Sequence, residues 1–305
     1  MKKFLRLLGL KQSDDRDPEA DKLTIHVRST VDGSKQPCLW KESLRREAAP
    51  LLVYLHPWRH GYDTDSRRWR AEAINRQWHF IAPHFRGPNK HADACASDIA
   101  KQDVLDAVDY ACKFAKVDER RIYLAGVSGG AHMALMMAAH APVRWAAVSA
   151  WCAPTDLVRW YQECVDAGSK VYRHLEKIAG GKPEGSNAAA EELKKRSPLF
   201  HIANANAIPL DISHGIRDGQ PKGIGVHHAI FAFNALAEDQ GLPVVSKAER
   251  DLLAKCEFLS TQEEQDNTYG RTIYLRRYAN KARITIFEGG HEDLPAAGTQ
   301  WLERH

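Results

Sequence analysis

Short, uninterrupted apolar runs alternate along this chain with longer stretches in which apolar residues recur every three to four positions, the rhythm of buried strands separated by helices. The run Leu51-Leu52-Val53-Tyr54-Leu55 has no polar interruption, so both of its faces are expected to be covered. Another run, His79-Phe80-Ile81-Ala82-Pro83, leads into Arg86-Gly87-Pro88. Between 98 and 116, Ile99, Val104, Leu105, Val108, Ala111 and Cys112 fall near one face, as in a helix laid on a sheet. Further strands are predicted at 143–151, 208–213, 271–278 and 282–287, and a helix at 226–240. At the front, 23–29 and 36–41 flank Val31-Asp32-Gly33-Ser34, where Asp-Gly signals a hairpin turn. This alternation predicts an α/β fold with a mostly parallel sheet flanked by helices. Two stretches break the rhythm. Residues 155–205 are helix-prone and hold no strong strand, which predicts a cap-like insertion over the sheet; 245–267, polar and helix-prone, predict a second insertion.

Composition narrows the function classes. A chain of 305 residues can bury most of its unfolded surface, so one domain over 23–305 is expected, behind an N-terminal extension of 1–22. Lys and Arg number 43 against 39 Asp and Glu, and the resulting charge of +4 is dispersed among both signs, which leaves no footprint for nucleic acid. Arg67-Arg68 and Lys194-Lys195-Arg196 read as solvated faces. Cys38, Cys95, Cys112, Cys152, Cys164 and Cys256 form no Cys-x-x-Cys pair, so free thiols are expected, not a zinc or redox site. The opening ten residues have an apolar run broken by Arg6, unlike a secretory signal, and no later segment approaches a membrane span. A cytoplasmic protein without membrane partners is the expectation.

The chemistry starts at Gly126-Val127-Ser128-Gly129-Gly130, which follows the apolar strand Arg121-Ile122-Tyr123-Leu124-Ala125 and precedes a helix bearing Met133, Leu135 and Met136. In that setting Gly-x-Ser-x-Gly reads as a nucleophile elbow: small residues on either side of Ser128 let strand and helix close in, and the helix N-terminus favours developing negative charge. A serine so placed needs an acid and a histidine, in the order Ser, acid, His, each on a loop after a strand. His214-Gly215-Ile216-Arg217-Asp218 follows one predicted strand and Gly289-Gly290-His291 another, so Ser128, Asp218 and His291 form the expected triad. Asp156, after the strand that follows the elbow, is the rival acid. Asp211 sits within a strand and would point at a sheet face. His132, one helical turn beyond Ser128, is expected to be a packing residue.

With these residues in place, the chain resembles the α/β-hydrolase superfamily from about residue 23 onward, and more narrowly its prolyl-oligopeptidase-type and esterase branch. The narrower resemblance rests on Val31-Asp32-Gly33, on Phe85-Arg86-Gly87, on 103–110 leading to Val117-Asp118-Glu119-Arg120-Arg121-Ile122, and on His214-Gly215-x-x-Asp218. Peptidases of that branch carry a β-propeller for which too few residues precede the sheet here. The loop after the Leu51 run also departs, reading His56-Pro57-Trp58 without a glycine run. Since proline has no N–H to give, the expected oxyanion donors are the backbone N–H groups of Gly129 and Trp58. Trp58, Trp69, Trp151 and Trp160-Tyr161 are expected near the mouth, with Trp58 and Trp151 as candidate substrate contacts. The resemblance implies a serine carboxylic-ester hydrolase needing no metal or organic cofactor, acting on small-molecule or oligosaccharide esters with short acyl, acetyl or feruloyl groups. A small serine peptidase and a non-catalytic binding protein on the same scaffold are the alternatives.

Overall fold

The computed structural model of the chain describes residues 16–185, 187–220, 222–257 and 266–305. The stretch 1–10 and part of the second predicted insertion lie outside these. In chain order come α1 (Ala20–Leu23), β1 (Thr24–Arg28), β2 (Lys35–Lys41), β3 (Ala49–Leu55), α2 (Arg67–Asn75), β4 (His79–Pro83), α3 (Asp98–Phe114), β5 (Val117–Val127), α4 (Gly129–His140) and β6 (Ala147–Trp151). Then follow α5 (Leu157–Asp166), α6 (Tyr172–Ala179), α7 (Ala188–Lys195), β7 (Leu210–Gly215), α8 (His227–Asp239), α9 (Lys247–Ala254), β8 (Ile273–Ala279), β9 (Ala282–Phe287) and α10 (Pro295–Glu303).

The strands form one sheet in the order β1-β2-β4-β3-β5-β6-β7-β9-β8. From β4 through β9 neighbouring strands run parallel, while β1, β2 and β8 supply antiparallel edges. The expected α/β-hydrolase fold is therefore present. Buried positions alternate between the two sheet faces, as the strand repeat requires. On one face Leu51, Val53, Leu55 and Leu124 pack with α3, α4 and α8; on the other, Leu52, Tyr54, Phe80 and Tyr123 pack with Trp69 and Ala73 of α2 and Trp301 and Leu302 of α10. A third cluster joins α5, α6 and α7 through Leu157, Trp160, Leu175 and Leu193 to Trp58 at the end of β3.

Two elements differ from the sequence reading for identifiable reasons. The strand expected from residue 143 starts at Ala147, because Pro142–Arg144 form a 3₁₀ turn with proline at its first position. Helix α2 carries Arg67, Arg68 and Arg70, which mask its buried Trp69 and Ala73. Arg70 is itself buried, with Nη2 bonded to both oxygens of Asp17 at 2.8 and 2.7 Å, so residues 16–23 pack onto the domain body.

Three of the motifs that carried the narrower resemblance meet in one place. Arg86 donates through Nε to Asp103 Oδ2 at 2.6 Å and through Nη1 to Asp32 Oδ2 at 2.7 Å, and through Nη2 to Ser29 Oγ at 3.0 Å. Asp106 accepts from the Thr30 N–H at 2.7 Å. One guanidinium thus ties the first hairpin, the β4 loop and α3 together.

Candidate active site

Strand β5 delivers Ser128 at φ 58°, ψ −122°, a backbone conformation in which a side chain is strained, immediately before α4. The packing that enforces this is visible at the glycines. A Cβ on Gly126 would stand 2.4 Å from the Gly130 carbonyl carbon, and one on Gly130 would stand 1.9 Å from the Leu55 oxygen. Strand β3, strand β5 and helix α4 are therefore in backbone contact, and Ser128 is displaced to the C-terminal edge of the sheet.

Gly129 reports where the loop after β3 lies. A Cβ there would meet the Trp58 backbone N and Cα, both at 2.6 Å. The N–H groups of Gly129 and Trp58 make no backbone hydrogen bond among the described residues. Two unspent donors thus sit beside the serine, as an oxyanion site requires. His56 fixes this loop: its ring stacks on Phe85 with centroids 4.0 Å apart, and Nε2 meets the His84 carbonyl oxygen at 2.9 Å. Burial holds the His56 pKa down at about 4.

The acid and the histidine come from the ends of β7 and β9. His291 Nδ1 donates to Asp218 Oδ2 at 2.6 Å, which leaves Nε2 as the nitrogen with a free lone pair. Burial works against protonation of His291, but the Asp218 charge and hydrogen bond outweigh it and raise its pKa above the usual value. Asp218 is buried, which alone would favour its neutral form; the charges of His291 and His214 and their hydrogen bonds prevail and hold it well below the carboxylate range. Its other oxygen accepts the Ile224 N–H at 3.1 Å. Among the described residues the Ser128 hydroxyl makes no hydrogen bond, His291 included.

Backbone contacts bring the loops together. The Ser128 N–H donates to the Trp151 carbonyl at 2.7 Å, and the Cys152 N–H to Ser213 at 2.9 Å. Cys152, at φ 55°, points its thiol at the Glu292 carbonyl, 3.4 Å away, so the end of β6 touches the loop that carries His291. Next to His291, the buried Asp293 accepts from Trp69 Nε1 at 2.7 Å and pairs with Arg68.

His214, Cys152 and Asp293 are the site residues that the sequence reading missed. His214 donates from Nε2 to the Ile224 carbonyl at 2.7 Å and lies 3.2 Å from Asp218 Oδ2. The signal was present in the spacing His214-Gly215-x-x-Asp218, since a tight turn after a strand folds residue i+4 back onto residue i.

The rival acids have other employment. Asp156 caps α5, accepting the N–H groups of Val158 and Arg159 at 3.1 Å each. Asp211 lies within β7, bonded to Ser149 and Arg283. His132 is fully buried, with Nε2 2.6 Å from the Arg196 carbonyl and its pKa held at about 4 by burial.

The expected aromatic contacts need correction. Trp151 is fully buried on the sheet face covered by α10, its Nε1 donating to Ser149 Oγ at 2.8 Å, so its side chain does not reach a substrate. Its carbonyl, which holds the Ser128 N–H, is what serves the site. Trp69 is likewise core, away from the mouth. The Trp58 indole is 4% exposed, with Trp160 edge-on at 4.8 Å and His132 at 6.0 Å. So packed, the ring offers no stacking platform.

Among the described residues, two groups of side chains lie close enough to hold a cation: Cys152, His214 and Asp218; and Glu163, His227 and His228. The hydrogen bonds speak against both. His228 Nδ1 accepts the Thr155 N–H at 3.2 Å, which places its proton on Nε2, toward Glu163. His214 likewise spends its Nε2 proton on a carbonyl. A metal would have to displace those protons from the facing nitrogens.

The BD-FAE family model matches residues 39–221, more than half of the chain. No curated protein matches. Among solved structures, the acylaminoacyl peptidase of Pyrococcus horikoshii superposes with a TM-score of 0.60 at 15% identity, covering 92% of this chain and 39% of that one. A puromycin-hydrolyzing peptidase of Mycobacterium tuberculosis gives 0.57 at 15% identity, covering 76% and 37%. A prolyl endopeptidase gives 0.56 at 18%, covering 72% and 33%. The chain thus spans about two fifths or less of the length of these relatives, and the likeness is one of fold. Elbow, sheet order and family model agree: the chain belongs to the BD-FAE family and has the α/β-hydrolase fold.

Proposed function

We propose that the protein hydrolyses carboxylic esters through an acyl-enzyme on Ser128, with short-chain or carbohydrate-linked acetyl and feruloyl esters as its substrate class. The observation that carries this reading is the 2.6 Å bond from His291 Nδ1 to Asp218, set at the same sheet edge as the strained Ser128. Ser128 Oγ bonds to the ester carbonyl carbon while its proton passes to His291 Nε2; Asp218 holds the imidazole in the required tautomer and stabilises the imidazolium. The carbonyl oxygen, now negative, takes the N–H groups of Gly129 and Trp58. The C–O bond to the alcohol breaks, and His291 returns the proton to the leaving oxygen. Water then repeats the sequence on the acyl-enzyme, releasing the acid and restoring Ser128.

A serine peptidase is the second reading, favoured by the peptidases among the structural relatives. An ammonium terminus needs free carboxylates to receive it. The acids flanking His291 are engaged instead, Glu292 with Arg271 and Asp293 with Arg68. Turnover of a p-nitrophenyl ester series, from acetate to long acyl chains, beside an aminoacyl-anilide panel separates the two. The ester reading predicts hydrolysis of the short esters that falls by on the order of 10⁴-fold or more in Ser128→Ala. Ser128-dependent cleavage confined to the anilides would replace it with the peptidase reading.

A further inference from the structure

The side of the site formed by the loop after β3 holds three cations without an ion-pair partner among the described residues. Arg59 follows Trp58 directly. The Asn89 N–H donates to the Trp58 carbonyl at 2.8 Å, which brings Lys90, the next residue, alongside. Helix α6 shares a buried cluster with Trp58 through Leu175 and Ile178, which sets His174 and Lys177, on the same helix, near that loop. Burial and then the charges of Arg59, Lys90 and Lys177 depress the His174 pKa, in keeping with that placement. Arg59, Lys90 and Lys177 form no ion pair and no side-chain hydrogen bond among the described residues. The acids on the neighbouring helices are occupied: Glu163 by His227 and His228, Glu176 by the Tyr161 hydroxyl, Glu192 by Arg196.

A second observation points the same way. Trp58 Nε1, Trp160 Nε1 and Asn89 Nδ2 are buried donors without a protein partner, on residues no more than 5% exposed. Buried donors in such a cluster call for an acceptor. Cations and unspent N–H groups together describe a place for negatively charged oxygen.

We propose that the natural substrate carries an anionic oxyacid group, a carboxylate, sulfate or phosphate, which is received on the Trp58 side of Ser128 by Arg59, Lys90 and Lys177. This rests on the ester-hydrolase reading above and narrows its substrate. It also gives a physical reason for excluding peptides with a free N-terminal ammonium, which the same cations repel.

The test compares kcat/KM at low ionic strength for p-nitrophenyl acetate with that for the p-nitrophenyl hemiester of succinate, anionic in its acyl part, and for 3-acetoxybenzoate against phenyl acetate, anionic in the alcohol part. At least one anionic member is expected to exceed its neutral counterpart by about tenfold, a ratio that falls as salt shortens the reach of the charges. In Arg59→Gln, Lys90→Gln and Lys177→Gln combined, that ratio is expected to return toward one. Inhibition of p-nitrophenyl acetate turnover by free succinate, sulfate and phosphate ranks the three anions, and the triple variant should lose it. Neutral esters turned over with anionic-to-neutral ratios near one, unmoved by salt or by the triple variant, would overturn the anion proposal while leaving the esterase intact. Absence of all ester turnover would instead bring down the reading on which it rests.

Discussion

Asp218 sets the protonation of His291 through the 2.6 Å bond between them. Because Asp218 raises the His291 pKa, the imidazole becomes a free base only at a pH above its ordinary value near 6.5, and kcat/KM should rise with pH through that point. Asp218→Asn removes the charge and favours the wrong tautomer. It should lower kcat by roughly 10⁴-fold and move the rising limb to lower pH, as read from a pH–rate profile. The rival acid makes the contrasting case. Asp156→Ala should cost about 1 kcal/mol of stability in a denaturant melt, because a helix cap is lost, and leave ester turnover near that of the parent. Serine, acid and histidine were legible in the sequence because their chemistry demands an order along the chain and a loop after each strand. Trp151 was misread because a strand's last residue can face either side of the sheet, and only the position of α10 decides which. His214 was named within its motif but given no role, because its partner is a carbonyl ten residues away.

Elements were legible where one physical cause acts alone. The uninterrupted apolar run of β3 has a single solution, a strand covered on both faces, and every one of its residues is buried. Helix α2 was illegible because three arginines cover a stripe of two buried residues, and Arg70 is buried only through distant acids, Asp17 and Glu19, that the local pattern does not contain. The hairpin, the β4 loop and α3 were each recognisable, but their connection through Arg86 is a tertiary fact. Asp103 is fully buried and Arg86 is its cation. Arg86→Ala should therefore destabilise the protein by about 3–5 kcal/mol, since it strands a buried carboxylate. Urea unfolding measures this. A loss below about 1 kcal/mol would show that the pair behaves like an exposed one.

For the whole molecule, the modest net charge of +4 is a sum that hides where the charge falls. The proposed anion site draws Arg59, Lys90 and Lys177 from two loops and a helix distant in sequence. The same topology brings the ends of β5, β6, β7 and β9 to one sheet edge, where a serine hydrolase of this fold works. No helix among the described residues is long and apolar enough to cross a membrane. Rapid mixing with p-nitrophenyl acetate looks for the acyl-enzyme on Ser128 itself. The account predicts a burst of p-nitrophenol equal to the enzyme concentration, with the acetyl group found by peptide mass mapping on the peptide containing Ser128, and neither burst nor label in Ser128→Ala. Turnover without a burst and with no acyl group trapped on Ser128, or a label that persists on another residue in Ser128→Ala, would contradict it.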